Sequence, residues 1–191
     1  MFVGYGDGAI AILDPSTRTK TGDIKLNGHP ESFRIDETGS RVFVNVPDAH
    51  AIEVTDLAAG ISQSMPTPSA AANFPMAIDR DAHRVLVIFR HPPLLMALSS
   101  QDTHVVSKTA TCGDADDVFV DGRRGRVYVS CGEGVVDVFA ADAAGQRRLT
   151  RLPTAPGART SLFVPDLDRL FVAVRATSSE PAAIWVFRPA P

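Results

Sequence analysis

Short apolar stretches alternate with polar turns along the whole chain, and they return at a fixed interval. "RVFVNV" from Arg41, "RVLVIF" from Arg84, "RVYVSC" from Arg126 and "RLFVAV" from Arg169 are spaced 43, 42 and 43 residues apart. Before each stands a shorter apolar segment, ending at Asp36, Asp79, Asp121 and Pro165, with spacings of 43, 42 and 44 residues. The turns between them, "ETGS", "RDAH", "GRRG" and "DLD", carry the Gly, Asp and Ser chemistry of tight hairpins. A third segment follows in each repeat ("AIEVTD", "LLMALS", "VVDVFA", "AAIWVF"), and a more polar fourth in three of them ("ISQSMPT", "HVVSKTA", "RRLTRLP"). Segments of four to seven residues rich in Val, Ile, Leu and Phe are too short for helices and suit strands.

Four strands in 40 to 45 residues is the period of a β-propeller blade, in which neighbouring sheets stack face to face around a channel. That geometry accounts for the nearly continuous apolar second segment, which is covered on both faces, and for the polar fourth, which meets solvent. "MFVGYG" aligns with "VFVNVP", so Met1 is expected inside a second strand, followed by "AIAILDPS" as a third and "KTGDIKL" as a fourth. The expectation is an all-β, single propeller domain over residues 1–191, with repeats at about 1–27 (partial), 28–68, 69–112, 113–155 and 156–191 (partial), and 18 strands in all. Such an inventory, about four and a half blades, reads as an irregular five-bladed ring, as part of a longer propeller, or as one member of a homo-oligomer whose incomplete terminal blades complete one another. The second and third readings are preferred, because an absent inner strand leaves apolar faces and backbone groups unsatisfied.

Composition narrows the function classes. A net charge of −3 gives no broad attraction for phosphate backbones or anionic lipid, so no nucleic-acid partner is expected. No apolar run is long enough for a membrane span, and the first twenty residues lack the succession of an export signal. Cys112 and Cys131 have no CxxC or Cys/His spacing for zinc and read first as two small buried apolar residues, with a single disulfide as the alternative.

Residues at one repeat position converge in a propeller although they lie about 43 apart in sequence. The loops leading into the first strands are "GHPES", "ANFPM", "GDADD" and "GARTS". They place His29, Glu31, Asn73, Asp114, Asp116, Asp117, Arg159 and Ser161 at one mouth of the channel, the candidate ligand-binding set, with Thr160 beside them. Arg159 suits an anion through its planar fork, and His29 with the carboxylates suits acid–base or metal chemistry. The same side chains also serve as strand caps in a hydrated channel. "DADD" lacks the spacing and distal Glu of a helical calcium loop, so no metal is assigned. "GYGDG" and "GEGV" each join two strands and are hairpin turns, not phosphate cradles. His50, His83, His91 and His104 fall in turns or outer positions, no nucleophile motif stands near any of them, and Trp185 is expected in packing between blades.

The phrases "RVFVNVPDAHAIEVTD", "GHPESFRID", "GDADDVFVD", "RVYVSCGEGVVDVF" and "ARTSLFVPDLDRLFVAV", taken in order, resemble the YVTN-type (YncE-like) bacterial β-propeller proteins, related to lactonase and haem d1 propellers. The resemblance covers the whole chain and implies about seven blades in members, of which this chain matches the C-terminal part. It also implies a periplasmic location, whereas this sequence by itself, taken as complete, implies a cytoplasmic one. The role expected from the fold and the polar mouth is non-catalytic binding or scaffolding for a small ligand or a protein at the channel mouth, without a cofactor. Two alternatives follow from the relatives: a lactonase-like metal-dependent hydrolase using His29 and the acidic loops, and an accessory protein of a periplasmic redox system. The latter has no CxxCH for haem attachment.

Overall fold

The chain folds as eighteen antiparallel strands in five sheets, described by a computed structural model over residues 1–142 and 145–190. The first sheet holds β1 (Phe2–Tyr5), β2 (Ala9–Asp14) and β3 (Thr19–Lys25). The second holds β4 (Phe33–Ile35), β5 (Arg41–Val46), β6 (Ala51–Asp56) and β7 (Ile61–Pro66). The third holds β8 (Ala71–Asp79), β9 (Arg84–His91), β10 (Pro93–Ser99) and β11 (Val105–Ala110). The fourth holds β12 (Ala115–Asp121), β13 (Arg126–Cys131), β14 (Val135–Asp142) and β15 (Gly145–Pro153), and the last holds β16 (Ser161–Val164), β17 (Arg169–Val174) and β18 (Ala183–Phe187). Each strand pairs with its neighbours in sequence, so every sheet is a simple meander. No helix among the described residues is long and apolar enough to cross a membrane.

Period-two alternation explains how a strand can be apolar at nearly every position. In β9, Val85, Val87 and Phe89 face the second sheet and join Phe43, Ile52 and Met76, while Leu86 and Ile88 face the fourth and join Val127, Val129 and Phe139. In β5, Val42, Val44 and Val46 pack on Ile10 and Ile24 of the first sheet, and Phe43 packs on the other side. In β13, Val127 and Val129 point to the third sheet, and Tyr128 packs on Phe163, Leu170 and Val172 of the last. Four apolar clusters thus fill four seams, and each fully buried Val, Ile, Leu or Phe contributes about 1.5–3 kcal/mol. The fourth strand β7 is mostly exposed and β11 is exposed at half of its positions, in keeping with their polar composition.

The terminal sheets have one open face each. Leu162, Ile184 and Val186 are 55%, 60% and 54% exposed, and Val3 and Tyr5 are also exposed. Trp185, expected between blades, is 40% exposed. It sits in the third strand of the last sheet, where its ring centroid lies 6.5 Å from that of Phe187 in the same strand.

The cysteines correct the sequence reading in one respect. Both are buried as expected, but they are joined in a disulfide rather than free. The loop before β12 folds back on the end of β13, where Ala115 pairs with Cys131, and this brings the two Cα atoms to 6.0 Å.

Candidate functional site

The first strands β4, β8, β12 and β16 stand side by side along one flank of the stack. The loops leading into them therefore share a rim. Aspartates from one loop and arginines from two other sheets meet there. Arg90, at the end of β9, donates from Nη2 to Asp116 Oδ1 at 2.7 Å and from Nε to the Ala115 carbonyl at 2.9 Å. Its Nη1 also lies 3.3 Å from Asp114 Oδ1. Arg159 donates from Nη1 to both oxygens of Asp114, at 2.8 and 2.6 Å, and its Nε lies 3.6 Å from Asp116 Oδ2. Two guanidinium groups and two carboxylates thus cancel across the third, fourth and fifth sheets, and the Asp114 contact holds the Arg159 guanidinium charged beyond its ordinary range. The Phe74 ring backs the set, with the Arg90 guanidinium 4.3 Å from its centroid.

Local backbone makes this approach possible. Asp114 adopts a left-handed conformation with φ of 58°, and its carboxylate lies where a Cβ on Gly132 would stand. Only glycine at 132 leaves that room.

Below the rim, Ser161 N donates to Asp117 Oδ2 at 2.6 Å, and the Ser161 and Ser130 hydroxyls are 2.7 Å apart. Burial pushes the Asp117 carboxyl above its ordinary range, an effect that the Ser161 amide opposes and the Asp116 charge adds to. Arg34 on β4 is exposed yet lines a recess between the first strands. Lost hydration lowers its pKa, and the Asp117 charge offsets this in part. Its guanidinium donates from Nη1 to the Phe33 carbonyl at 2.7 Å. Glu31, Ser32, Arg34, Phe74, Met76 and Asp117 line a cavity of about 210 Å³. It shares Arg34, Val118 and Phe119 with a second recess of about 370 Å³ that reaches Arg80.

The eight residues singled out from the sequence therefore separate into groups. Asp114, Asp116, Asp117, Arg159 and Ser161 come together, with Glu31 across the cavity. His29 does not join them: its Nδ1 lies 2.7 Å from the Gly6 carbonyl of the first sheet. Asn73 is fully buried at a bulge in β8, where its Nδ2 donates to Ala51 O and Asn45 Oδ1 at 2.9 and 3.2 Å. Among the described residues no group of three or more His, Cys, Asp or Glu side chains is arranged to hold a metal ion. Arg90 and Arg34 were missed because they lie in strands, outside the loops that repeat register marks as the rim. A charged residue inside an apolar strand was the available signal.

Stacked antiparallel sheets with their first strands side by side define the protein as a β-propeller, with its blades not closed into a ring. No family model and no curated protein matches the sequence. Among solved structures, a chain of the mitotic checkpoint complex superposes with a TM-score of 0.82 at 13% identity, over 98% of this chain and 59% of that one. A chain of Kuenenia stuttgartiensis hydrazine synthase superposes with a TM-score of 0.75 at 14% identity, over 87% of this chain and 49% of that one. At such identities the likeness is one of fold. The chain spans roughly half the length of these neighbours.

Proposed function

We propose that this chain is a non-catalytic binding propeller of the YVTN type, taking a small ligand or a protein segment in the recess formed by β4, β8 and β12. The observation that carries the reading is a division of charge. Arg90 and Arg159 are committed to Asp114 and Asp116, which makes a rigid rim, while Glu31, Arg34 and Asp117 face a cavity with no carboxylate–guanidinium contact among themselves. Committed charges hold shape, and uncommitted recessed charges recognise ligands. The hydrolase alternative is not favoured by this geometry, since His29 binds the first sheet while the acidic loop binds arginines on the other side. Nothing in the site favours the redox-accessory alternative.

The buried disulfide supports a protein that matures in an oxidising compartment, in keeping with the periplasmic location implied by the resemblance. A thermal-shift panel of small organic anions, cations and zwitterions tests the binding reading. At least one compound is expected to raise the melting temperature of the wild-type chain and not that of Arg34→Ala or Asp117→Asn. A panel with no effect, or with equal shifts in all three proteins, contradicts it.

A further inference from the structure

The charges in the cavity narrow what it takes. Three carboxylate residues and one arginine line the same 210 Å³: Asp116 is held by Arg90, which leaves Glu31 and Asp117 as two negative charges and Arg34 as one positive charge outside the ion pairs. A simple anion drawn to Arg34 meets two carboxylates at short range, and a simple cation drawn to the carboxylates meets the guanidinium. A ligand that carries an ammonium and a carboxylate on one carbon satisfies every group. Arg34 supplies the fork: among the described residues, its guanidinium makes one hydrogen bond, from Nη1 to the Phe33 carbonyl, which leaves the edge that suits a carboxylate. Asp117 accepts the Ser161 amide on Oδ2, which leaves Oδ1 for an ammonium, and Glu31 supplies a second acceptor. Phe74, Pro75, Met76, Val118 and Phe119 also line the cavity, beside Ser32 and Asp116, and give an apolar wall for the remainder of the ligand. At about 30 Å³ per water the cavity has room for about seven heavy atoms, and a longer tail continues into the adjoining recess.

We propose that the recess between β4, β8 and β12 binds a small amino-carboxylate zwitterion with an apolar tail, its carboxylate on Arg34 and its ammonium between Asp117 and Glu31. The assignment rests on the binding reading above and narrows it to one ligand class. Isothermal titration of the full chain with L-leucine, 4-methylpentanoate and 3-methylbutylamine tests it, because the last two each keep the tail and one charge. Leucine binds saturably at one site, and each single-charge analogue binds about tenfold more weakly or worse. Arg34→Ala and Asp117→Asn abolish leucine binding while retaining the wild-type circular dichroism spectrum. Absence of saturable leucine binding, equal affinity for 4-methylpentanoate, or full binding by Arg34→Ala overturns the proposal. If leucine fails while another compound of the panel still binds in an Arg34-dependent way, the zwitterion assignment falls and the binding reading stands.

Discussion

Single side chains at the rim and the hairpin turns carry the chemistry that acid tests best. The Arg124 guanidinium donates to Asp168 Oδ1 and Oδ2 at 2.7 and 3.1 Å and to Asp121 Oδ2 at 3.0 Å, tying the turn of the fourth sheet to that of the fifth. The bond from Arg124 holds the Asp168 carboxyl below its ordinary range, and the bond from His83 does the same for Glu37 between the second and third sheets. A lowered folded pKa means stability that is present above the unfolded value and lost as pH falls through the folded one. Asp117 has the opposite sign: its raised pKa favours the protonated form in the fold, a contribution that disappears as pH rises through the folded value. Asp117→Asn is therefore expected to melt higher than wild type at neutral pH and to converge with it in acid, as thermal melts across pH 3–8 would show. A lower melting temperature at neutral pH would mean that the Arg34 attraction outweighs burial. Gly132→Ala is expected to displace the Asp114 carboxylate and break its contact with Arg159, lowering stability by about 0.5–1 kcal/mol by denaturant titration, the worth of a half-exposed ion pair.

At the scale of strands, the repeat made most of the fold legible. A 43-residue interval and the short apolar segments within it specify eighteen strands and their antiparallel order, because alternation of facing residues is the local rule that the seams enforce. The candidate site was legible in part. Register identifies Asp114, Asp116, Asp117 and Arg159 as neighbours of the same mouth, but it is blind to whether a side chain turns outward or inward. Asn73 follows a residue with φ of 58°, and the resulting bulge carries it into the core. Arg34 and Arg90 stand in strands whose neighbours are apolar, and only the packing of neighbouring sheets brings Arg34 to a recess and Arg90 to Asp116. Cys112 and Cys131 lie 19 residues apart on either side of a repeat boundary, and their pairing depends on a loop that the pattern does not encode. Replacing both by Ala is expected to cost about 2–4 kcal/mol by denaturant titration, through the freed loop in the unfolded chain. Ile88→Ala, at the seam of the third and fourth sheets, is expected to cost about 2–5 kcal/mol.

For the whole molecule, five sheets stacked in sequence order give three inner sheets with two covered faces and terminal sheets with one. Leu162, Phe171, Ile184 and Val186 align across β16, β17 and β18 on the uncovered side. Self-association through such faces predicts a mass by light scattering that rises with concentration and falls to that of one chain in Leu162→Ser/Ile184→Ser, and a single-chain mass in both proteins would remove that expectation. The stacking itself is tested most directly by native-state hydrogen exchange on the monomer. Amides of β9 are bonded on both sides within the third sheet and covered by two seams, so they are expected to exchange slowest, with β13 and β5 close behind and β1 and β18 fastest. Protection of β1 and β18 equal to that of β9 would contradict an open stack, and uniform rapid exchange through β9 would contradict the covered central sheet.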